Sequence, residues 1–309
     1  MYSGPAVPPP TAWWLDRRAR WLGALGIGLM ASGLAHMVVW GVRGGAWEGP
    51  VTWRKPILFG ISAGLTSLSL GWVWARLPSR RGDAALAALT AWSLVVEVAL
   101  VDLQAWRGVA SHFNRRTPFD SILYDAMGAL ILLVTLVAVD LTVRAFRRPV
   151  PLATDMLLAL RAGMVFLVVS CGLGIWASVH GDLRAARGLA PEVLGTAGVV
   201  KFPHGMVIHA LQWLPLLAWA AARARLPQRR RNAIVSAATA GTAILLAYAL
   251  LQTLAGRSRF DAPWPVLAFG AAGGALLAGA ALVVAAAWAA AWLSAQTARG
   301  GRRGTDDAR

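Results

Sequence analysis

The chain has 309 residues, of which 57% are hydrophobic and 14% are charged. This composition excludes an ordinary soluble domain and predicts an integral membrane protein embedded in a lipid bilayer. The net charge of +16 does not indicate nucleic-acid binding, because the arginines are spread over short loops between apolar segments, where they act as topology signals.

In chain order, the sequence predicts an all-α fold, a polytopic membrane helix bundle of about eight transmembrane helices. Residues 1–20 are proline-rich and are expected to form a disordered N-terminal arm. Residues 21–295 are expected to form a single transmembrane bundle, and residues 296–309 a disordered cytoplasmic tail. Eight apolar runs are long enough to span a bilayer, at 21–41, 56–77, 84–107, 119–146, 152–180, 203–224, 232–254 and 265–294.

The distribution of lysine and arginine predicts the orientation of these spans. With both termini inside, the cytoplasmic segments carry 18 such residues and the outer loops carry 11. Arginine far outnumbers lysine, as is typical of a GC-rich bacterial gene, so we expect a multi-pass protein of the bacterial cytoplasmic (inner) membrane with both termini cytoplasmic. This topology places all five histidines near the outer face: His36, His112, His180, His204 and His209.

Two of these histidines predict a cofactor site. His36 and His209 are expected at matched depth, each about 8–9 Å inside the outer end of its helix. Imidazoles on two helices that meet at one depth can hold a b-type haem or a transition metal, and Arg107 and His112 are expected to line the same site. His204 and His209 are about 140° apart around a helix, so they cannot clamp one metal ion by themselves. Unrelated interfacial histidines are the alternative interpretation.

The sequence TPFD that follows the outer loop after the third span is typical of a helix start. Thr117 is the expected N-cap, Pro118 the first helical residue, and Asp120 an acidic residue in the first turn. Helix-start chemistry leaves the loop residues His112 and Asn114 without a role, and they are therefore candidate binding residues.

Basic side chains gather at the same predicted outer face. They predict a mouth that attracts a small anionic solute or a lipid headgroup. The residues are Arg54, Lys55, Arg107, Arg115, Arg116 and Lys201. For Arg115 and Arg116, the alternative is that the side chains reach toward lipid phosphates without forming a site.

Two spans carry further candidate ligand-binding residues. Glu97 lies near the middle of the third span, and a carboxyl at that depth is a candidate proton-relay group. In the sixth span, Pro203 is expected to open the helix, which places His204 at the entrance. His209 is then expected on the inward face, with Gln212 one turn further on.

The last two spans carry no comparable chemistry. Gly270 and Gly274 are four residues apart, a spacing that predicts close helix packing. This hairpin is expected to be scaffold.

Three stretches resemble an uncharacterised family of bacterial multi-pass inner-membrane proteins with an SHFN-loop motif: WRKP at 53–56, QAWRGVASHFNRRTPFD at 104–120, and KFPHGMVIHALQ at 201–212. The resemblance covers residues 50–220 and implies a bundle of about eight helices, but no activity. The sequence has no Walker loop, HExxH, GxSxG or CxxCH motif, so enzymatic activity and oligomeric state stay open. Three functions remain: a redox-cofactor or metal site, binding or transport of a small anionic solute or lipid, and a structural membrane component.

Overall fold

The computed structural model describes the backbone of residues 13–306 and the side chains of residues 13–293. A short 3₁₀ helix and nine α-helices account for most of this part of the chain, and β1 and β2 form a two-stranded sheet. In chain order the elements are the 3₁₀ helix Trp13–Leu15, α1 Arg17–Arg43, α2 Arg54–Arg76, α3 Asp83–Trp106, α4 Pro118–Arg147, α5 Thr154–Ala185, β1 Val193–Leu194, β2 Gly198–Val199, α6 Lys201–Val207, α7 Ala210–Arg223, α8 Gln228–Leu254 and α9 Trp264–Asp306.

The predicted all-α membrane bundle is confirmed. Eight helical segments within the described residues are long and apolar enough to cross a membrane, and α6 and α7 together make up the sixth. The protein is therefore a multi-pass membrane protein. Of the expected disordered segments, residues 1–12 and 307–309 lie outside the described residues, whereas α1 already begins at Arg17 and the backbone of α9 continues to Asp306.

The described chain divides into two compact units by its internal contacts, and the predicted single bundle stays a prediction. The first unit holds the residues up to Pro151 together with Met164–Val193, and so contains α1 to α4 and most of α5. The second unit holds Leu152–Gly163 and the residues from Leu194 onward, and so contains the start of α5 and all of α6 to α9.

Glycines bring α1 and α2 into close contact in the first unit. A Cβ atom added at Gly60 would lie 2.7 Å from the backbone nitrogen of Gly33, and one added at Gly64 would lie 2.6 Å from the carbonyl oxygen of Gly26. Real Cβ atoms do not approach backbone atoms so closely. The four glycines therefore set the distance between the two helices, which is how small residues act between membrane helices.

At one end of the first unit, ion pairs between charged side chains connect four helix ends. These are the starts of α1 and α3 and the ends of α2 and α4. Arg144 is buried and its guanidinium contacts both carboxylate oxygens of Asp83 at 3.0 and 2.8 Å. Arg18 lies 3.6 Å from Asp83 and also bonds the carboxylate of Asp16. Burial alone would raise the pKa of Asp16, but the hydrogen bonds from Arg18 hold it below its usual value.

In the second unit, α8 and α9 pack closely, as predicted at Gly270 but not at Gly274. A Cβ added at Gly270 would lie 2.8 Å from the ring of Tyr248, and one added at Gly241 would lie 2.7 Å from the carbonyl oxygen of Gly273. Gly274 has open space around it. The close approach thus uses Gly270 and Gly273, and Gly273 is one residue before the second predicted position.

Candidate functional site

His36 is buried near the end of α1, with both ring nitrogens in hydrogen bonds. Its Nδ1 lies 2.9 Å from the backbone oxygen of Ser32, one turn earlier. The indole Nε1 of Trp106 donates to its Nε2 at 3.0 Å. Because an indole N–H can only donate, Nε2 must be the acceptor and Nδ1 must carry the hydrogen. His36 is thus held as one neutral tautomer.

Asp102 lies beside this histidine, on the same face of α3 as Trp106. Its Oδ2 is 4.0 Å from Nδ1 of His36 and accepts a hydrogen bond from the hydroxyl of Ser32 at 3.2 Å. Its Oδ1 is buried and has no hydrogen-bond partner in the described part of the chain. Buried carboxylate oxygens are nearly always partnered, so an orphaned one at membrane depth marks a place where another atom can bind.

Aromatic rings pack against this pair. The ring of Trp53 stacks on His36 with centroids 6.1 Å apart, and it meets Trp106 edge to face at 4.9 Å. The guanidinium of Arg43 lies over the indole ring of Trp106, 5.0 Å from its centroid. We call Ser32, His36, Trp53, Asp102 and Trp106 the histidine cluster.

Sequence reasoning found His36 but missed the residues that hold it. Ser32 and His36 are four residues apart on α1, and Asp102 and Trp106 are four apart on α3. Residues at that spacing share one helix face, so two such polar pairs at the same predicted depth could have indicated facing partners. Tryptophans are common at membrane interfaces, so the sequence alone does not single out Trp106.

Glu97 is buried in the middle of α3, as predicted, with only 5% of its surface exposed. No hydrogen bond or ion pair of its carboxyl is found among the described residues. It precedes Asp102 by five residues, which is about 7.5 Å along the axis and about 140° around it. The two carboxyls are therefore near in depth but do not share a face of the helix.

Arg107 belongs to a different set of contacts, which joins the end of α3 to the start of α4. Its Nη1 bonds Oδ1 of Asp120 at 2.7 Å and also contacts the side-chain oxygen of Gln104. The predicted helix start is confirmed, because the hydroxyl of Thr117 caps the backbone nitrogen of Asp120 at 3.1 Å and Pro118 is the first helical residue. The charge of Arg107 is thus matched by a buried carboxylate, which the sequence analysis did not foresee.

The SHFN loop turns its side chains into the first unit. His112 lies between the rings of Phe59 and Tyr124, with centroids at 5.3 and 5.9 Å, and its Nδ1 is 2.9 Å from the hydroxyl of Ser111. Asn114 is buried and braces the loop by donating to the backbone oxygen of Ala110 at 3.0 Å. Packing and loop closure therefore account for most of the contacts of this motif.

The basic residues near the starts of α2 and α4 differ in how closely acidic side chains pair with them. Arg115 bonds Asp125 at 2.9 Å and Asp182 at 3.2 Å, and these hydrogen bonds raise the pKa of Arg115 above its usual value. Arg54 lies 3.7 Å from the exposed carboxylate of Glu48. Lys55 donates to a backbone oxygen at 3.3 Å. The cavity beside Lys55 has no room for a water molecule, so the predicted basic mouth is closed here.

The second unit holds the other predicted site residues, on a span that is broken where the sequence predicts a continuous helix. Lys201 begins α6 and His204 lies within it, whereas His209 stands at the break before α7, with φ −100° and ψ 10°. Gln212 follows in the first turn of α7, next to His209. Pro215 has no N–H to bond the carbonyl of residue 211, which weakens the helix in this region. Broken helices at membrane depth are common around binding sites.

No group of three or more histidine, cysteine, aspartate or glutamate side chains suited to a metal ion occurs among the described residues. In addition, the nitrogen of His36 that could ligate a haem iron accepts the hydrogen bond from Trp106. The arrangement in the first unit therefore favours proton and hydrogen-bond chemistry over ligation, while the predicted pairing of His36 with His209 stays a prediction.

The chain matches no family model, no curated protein and no solved structure. The resemblance of its SHFN loop to uncharacterised inner-membrane proteins therefore stays a prediction as well.

Proposed function

We propose that the protein is a proton-linked membrane carrier for small anions, in which the histidine cluster binds the proton. The observation that carries the proposal is Asp102, whose Oδ1 is buried without a hydrogen-bond partner in the described chain while its Oδ2 lies 4.0 Å from His36. A carboxyl in such a place gains a partner when it binds a proton, a water or a ligand. Ionisable groups inside membrane spans most often serve ion or proton pathways.

The histidine offers a second proton-binding state beside Asp102. A proton on Nε2 of His36 would turn that nitrogen into a donor, which cannot coexist with the hydrogen bond from Trp106. Proton uptake would thus release the indole and place a cation beside the carboxylate. Glu97, buried deeper on α3, supplies a further titratable group for a path across the membrane.

The choice of an anion as the transported solute rests on charge. Arg107 and Arg115 are matched by aspartates, but Arg43 and Arg116 have no carboxylate partner among the described residues and lie exposed at this end of the first unit. Their charge would raise the local concentration of anions. A proton that accompanies a monoanion makes the pair neutral, which lowers the cost of moving it through a low-dielectric medium.

The proposal includes an orientation. With both termini on the cytoplasmic side of a bacterial inner membrane, the histidine cluster lies toward the outside, and the 18 basic residues counted on the cytoplasmic side against 11 on the other support this arrangement. Of the basic mouth that the sequence predicts, this proposal keeps Arg116 as an attracting charge and adds Arg43, which was not part of that prediction.

Thermal unfolding of the purified protein in detergent tests this proposal. Chloride, sulfate, phosphate and succinate are each added at roughly pH 5.5 and roughly pH 8, which bracket the range where histidines change charge. We expect one of these anions to stabilise the protein more at the lower pH, because a proton and an anion that bind together assist each other.

Two aspartate variants make that test specific. In Asp102→Asn we expect the anion effect to lose its pH dependence. In Asp125→Asn, which removes an exposed and ion-paired carboxylate from α4, the dependence should remain. If no anion stabilises the wild type, or if both variants behave alike, the proposal is wrong.

A further inference from the structure

A second polar feature lies at the opposite end of the first unit, away from the histidine cluster. A cavity of about 190 Å³ opens where α2 ends, α3 begins and α4 ends. Its lining residues are Pro78, Ser79, Arg80, Arg144 and Arg148. One water molecule needs about 10–15 Å³ of such space, so the cavity admits a group of several non-hydrogen atoms.

Arg144 forms a rigid wall of this cavity. Only 1% of its side chain is exposed, and its guanidinium is fixed by both oxygens of Asp83 and by the backbone oxygen of Pro78 at 2.8 Å. A guanidinium held from several sides cannot swing away to solvent. The wall is therefore fixed in place before any ligand arrives, which lowers the entropic cost of binding.

Arg80 lies at the rim, with its side chain half exposed and in one ion pair. Its Nη1 lies 3.1 Å from Oδ1 of Asp140, whose other oxygen is 3.4 Å from Arg144. The backbone nitrogen of Arg80 also donates to Asp83 at 2.9 Å, so the loop that carries it is tied to the start of α3. The carboxylates of Asp83 and Asp140 thus hold Arg80 and Arg144 in place.

Arg148 adds the charge that nothing at this site balances. It follows the last residue of α4, is exposed, and has no ion pair among the described residues. Three arginines line the cavity while two aspartates brace them, so one positive charge remains. The hydroxyl of Ser79 adds a neutral donor to the same lining.

We propose that this cavity binds a phosphate group, carried either by a lipid headgroup or by inorganic phosphate. Arginine forks match phosphate oxygens in geometry and charge, and basic pockets between membrane helices are suited to anionic headgroups. The cavity lies at the ends of spanning helices, which is the depth at which lipid phosphates are found. Nothing in this inference depends on proton-linked transport.

Arg148→Gln is the test variant, and Arg147→Gln is its matched control. Both side chains are exposed at the end of α4, but only Arg148 lines the cavity. Native mass spectrometry of the full-length protein would count bound phosphatidylglycerol during a titration, with and without inorganic phosphate as a competitor. We expect Arg148→Gln to weaken binding about tenfold and Arg148→Glu to weaken it further, whereas Arg147→Gln keeps the wild-type affinity.

Competition by inorganic phosphate shows whether the bound phosphate group belongs to a lipid or is the free ion. Lipid binding that resists inorganic phosphate would assign the cavity to a headgroup, and inorganic phosphate that binds by itself and displaces the lipid would assign it to the free ion. Equal losses of affinity in Arg148→Gln and Arg147→Gln would overturn the inference. The same holds if the wild type binds neither phosphatidylglycerol nor inorganic phosphate. Asp102→Asn should bind both probes normally, which separates this result from a failure of the transport proposal.

Discussion

The indole nitrogen of Trp106 donates a hydrogen bond to Nε2 of His36 across 3.0 Å, from the last residue of α3 to the end of α1. This bond determines where the hydrogen of the imidazole sits, because a tryptophan cannot accept. It also decides what His36 can do in the resting structure: the nitrogen is already occupied, and its protonation would break the contact. The bond therefore links the charge of the histidine to the position of an aromatic ring beside Asp102.

The first prediction concerns that hydrogen bond. In Trp106→Phe, His36 loses the donor to Nε2 that fixes its tautomer, so the ring should exchange between its two tautomers. Nitrogen NMR of histidine-labelled protein measures this, since the two tautomers and the cation have different shifts. Trp53→Phe keeps a stacked ring without touching the hydrogen bond, and its spectrum should match the wild type. An unchanged His36 signal in Trp106→Phe would contradict the assignment.

The second prediction concerns the buried ion pair between Asp83 and Arg144. Asp83→Asn leaves a guanidinium buried at 1% exposure without its bidentate partner. We expect the free energy of unfolding in detergent to fall by about 3 kcal/mol. The control Asp125→Asn breaks an exposed pair, so it should cost at most about 1 kcal/mol. Similar losses in the two variants would show that burial does not set the strength of these pairs.

The third prediction concerns the contact between α1 and α2. Gly60→Ala places a methyl group within 2.7–2.9 Å of backbone atoms on α1, so the helices must separate. We expect a loss of about 1–3 kcal/mol in stability, measured by thermal or denaturant unfolding. Gly28→Ala makes the same chemical change on α1, where nothing lies within 4 Å, and should be neutral or slightly stabilising. The prediction fails if the order of the two variants is reversed.

The fourth prediction concerns the start of α4. Thr117→Ala removes the hydroxyl that caps the nitrogen of Asp120 and that donates to its carboxylate at 2.7 Å. Such a cap contributes about 1 kcal/mol. We therefore expect the free energy of unfolding to fall by about that amount and the unfolding temperature to fall with it. Thr117→Ser keeps the hydroxyl and should retain most of the stability. Equal effects of alanine and serine would show that the methyl group, not the cap, matters.

Much of the fold could be predicted because membrane helices follow from composition alone. An apolar run of about 20 residues has few alternatives in a bilayer, and all eight predicted spans have helical counterparts. The cap at Thr117 was also predictable, since threonine before proline satisfies a local rule that needs no tertiary contact. Hydropathy could not reveal the break at His209, because broken and continuous helices have the same composition.

The site was only partly predictable, for a different reason. Sequence marks polar residues in apolar surroundings, so His36, Arg107 and Glu97 were all noticed. It does not say which residues on other helices face them, and these partners decide the chemistry. Asp120 makes Arg107 part of a helix junction, whereas Trp106 and Asp102 make His36 part of the histidine cluster, for which we propose proton binding.

Proton movement driven by an anion gradient tests the proposed transport most directly. The protein would be reconstituted in liposomes that contain a pH-sensitive dye, and chloride, sulfate, phosphate or succinate would be added outside. We predict that one of these gradients acidifies the lumen, that Asp102→Asn abolishes the signal, and that Asp125→Asn preserves it. Acidification by Asp102→Asn at the wild-type rate, or a wild-type rate no greater than that of protein-free liposomes, would contradict the account.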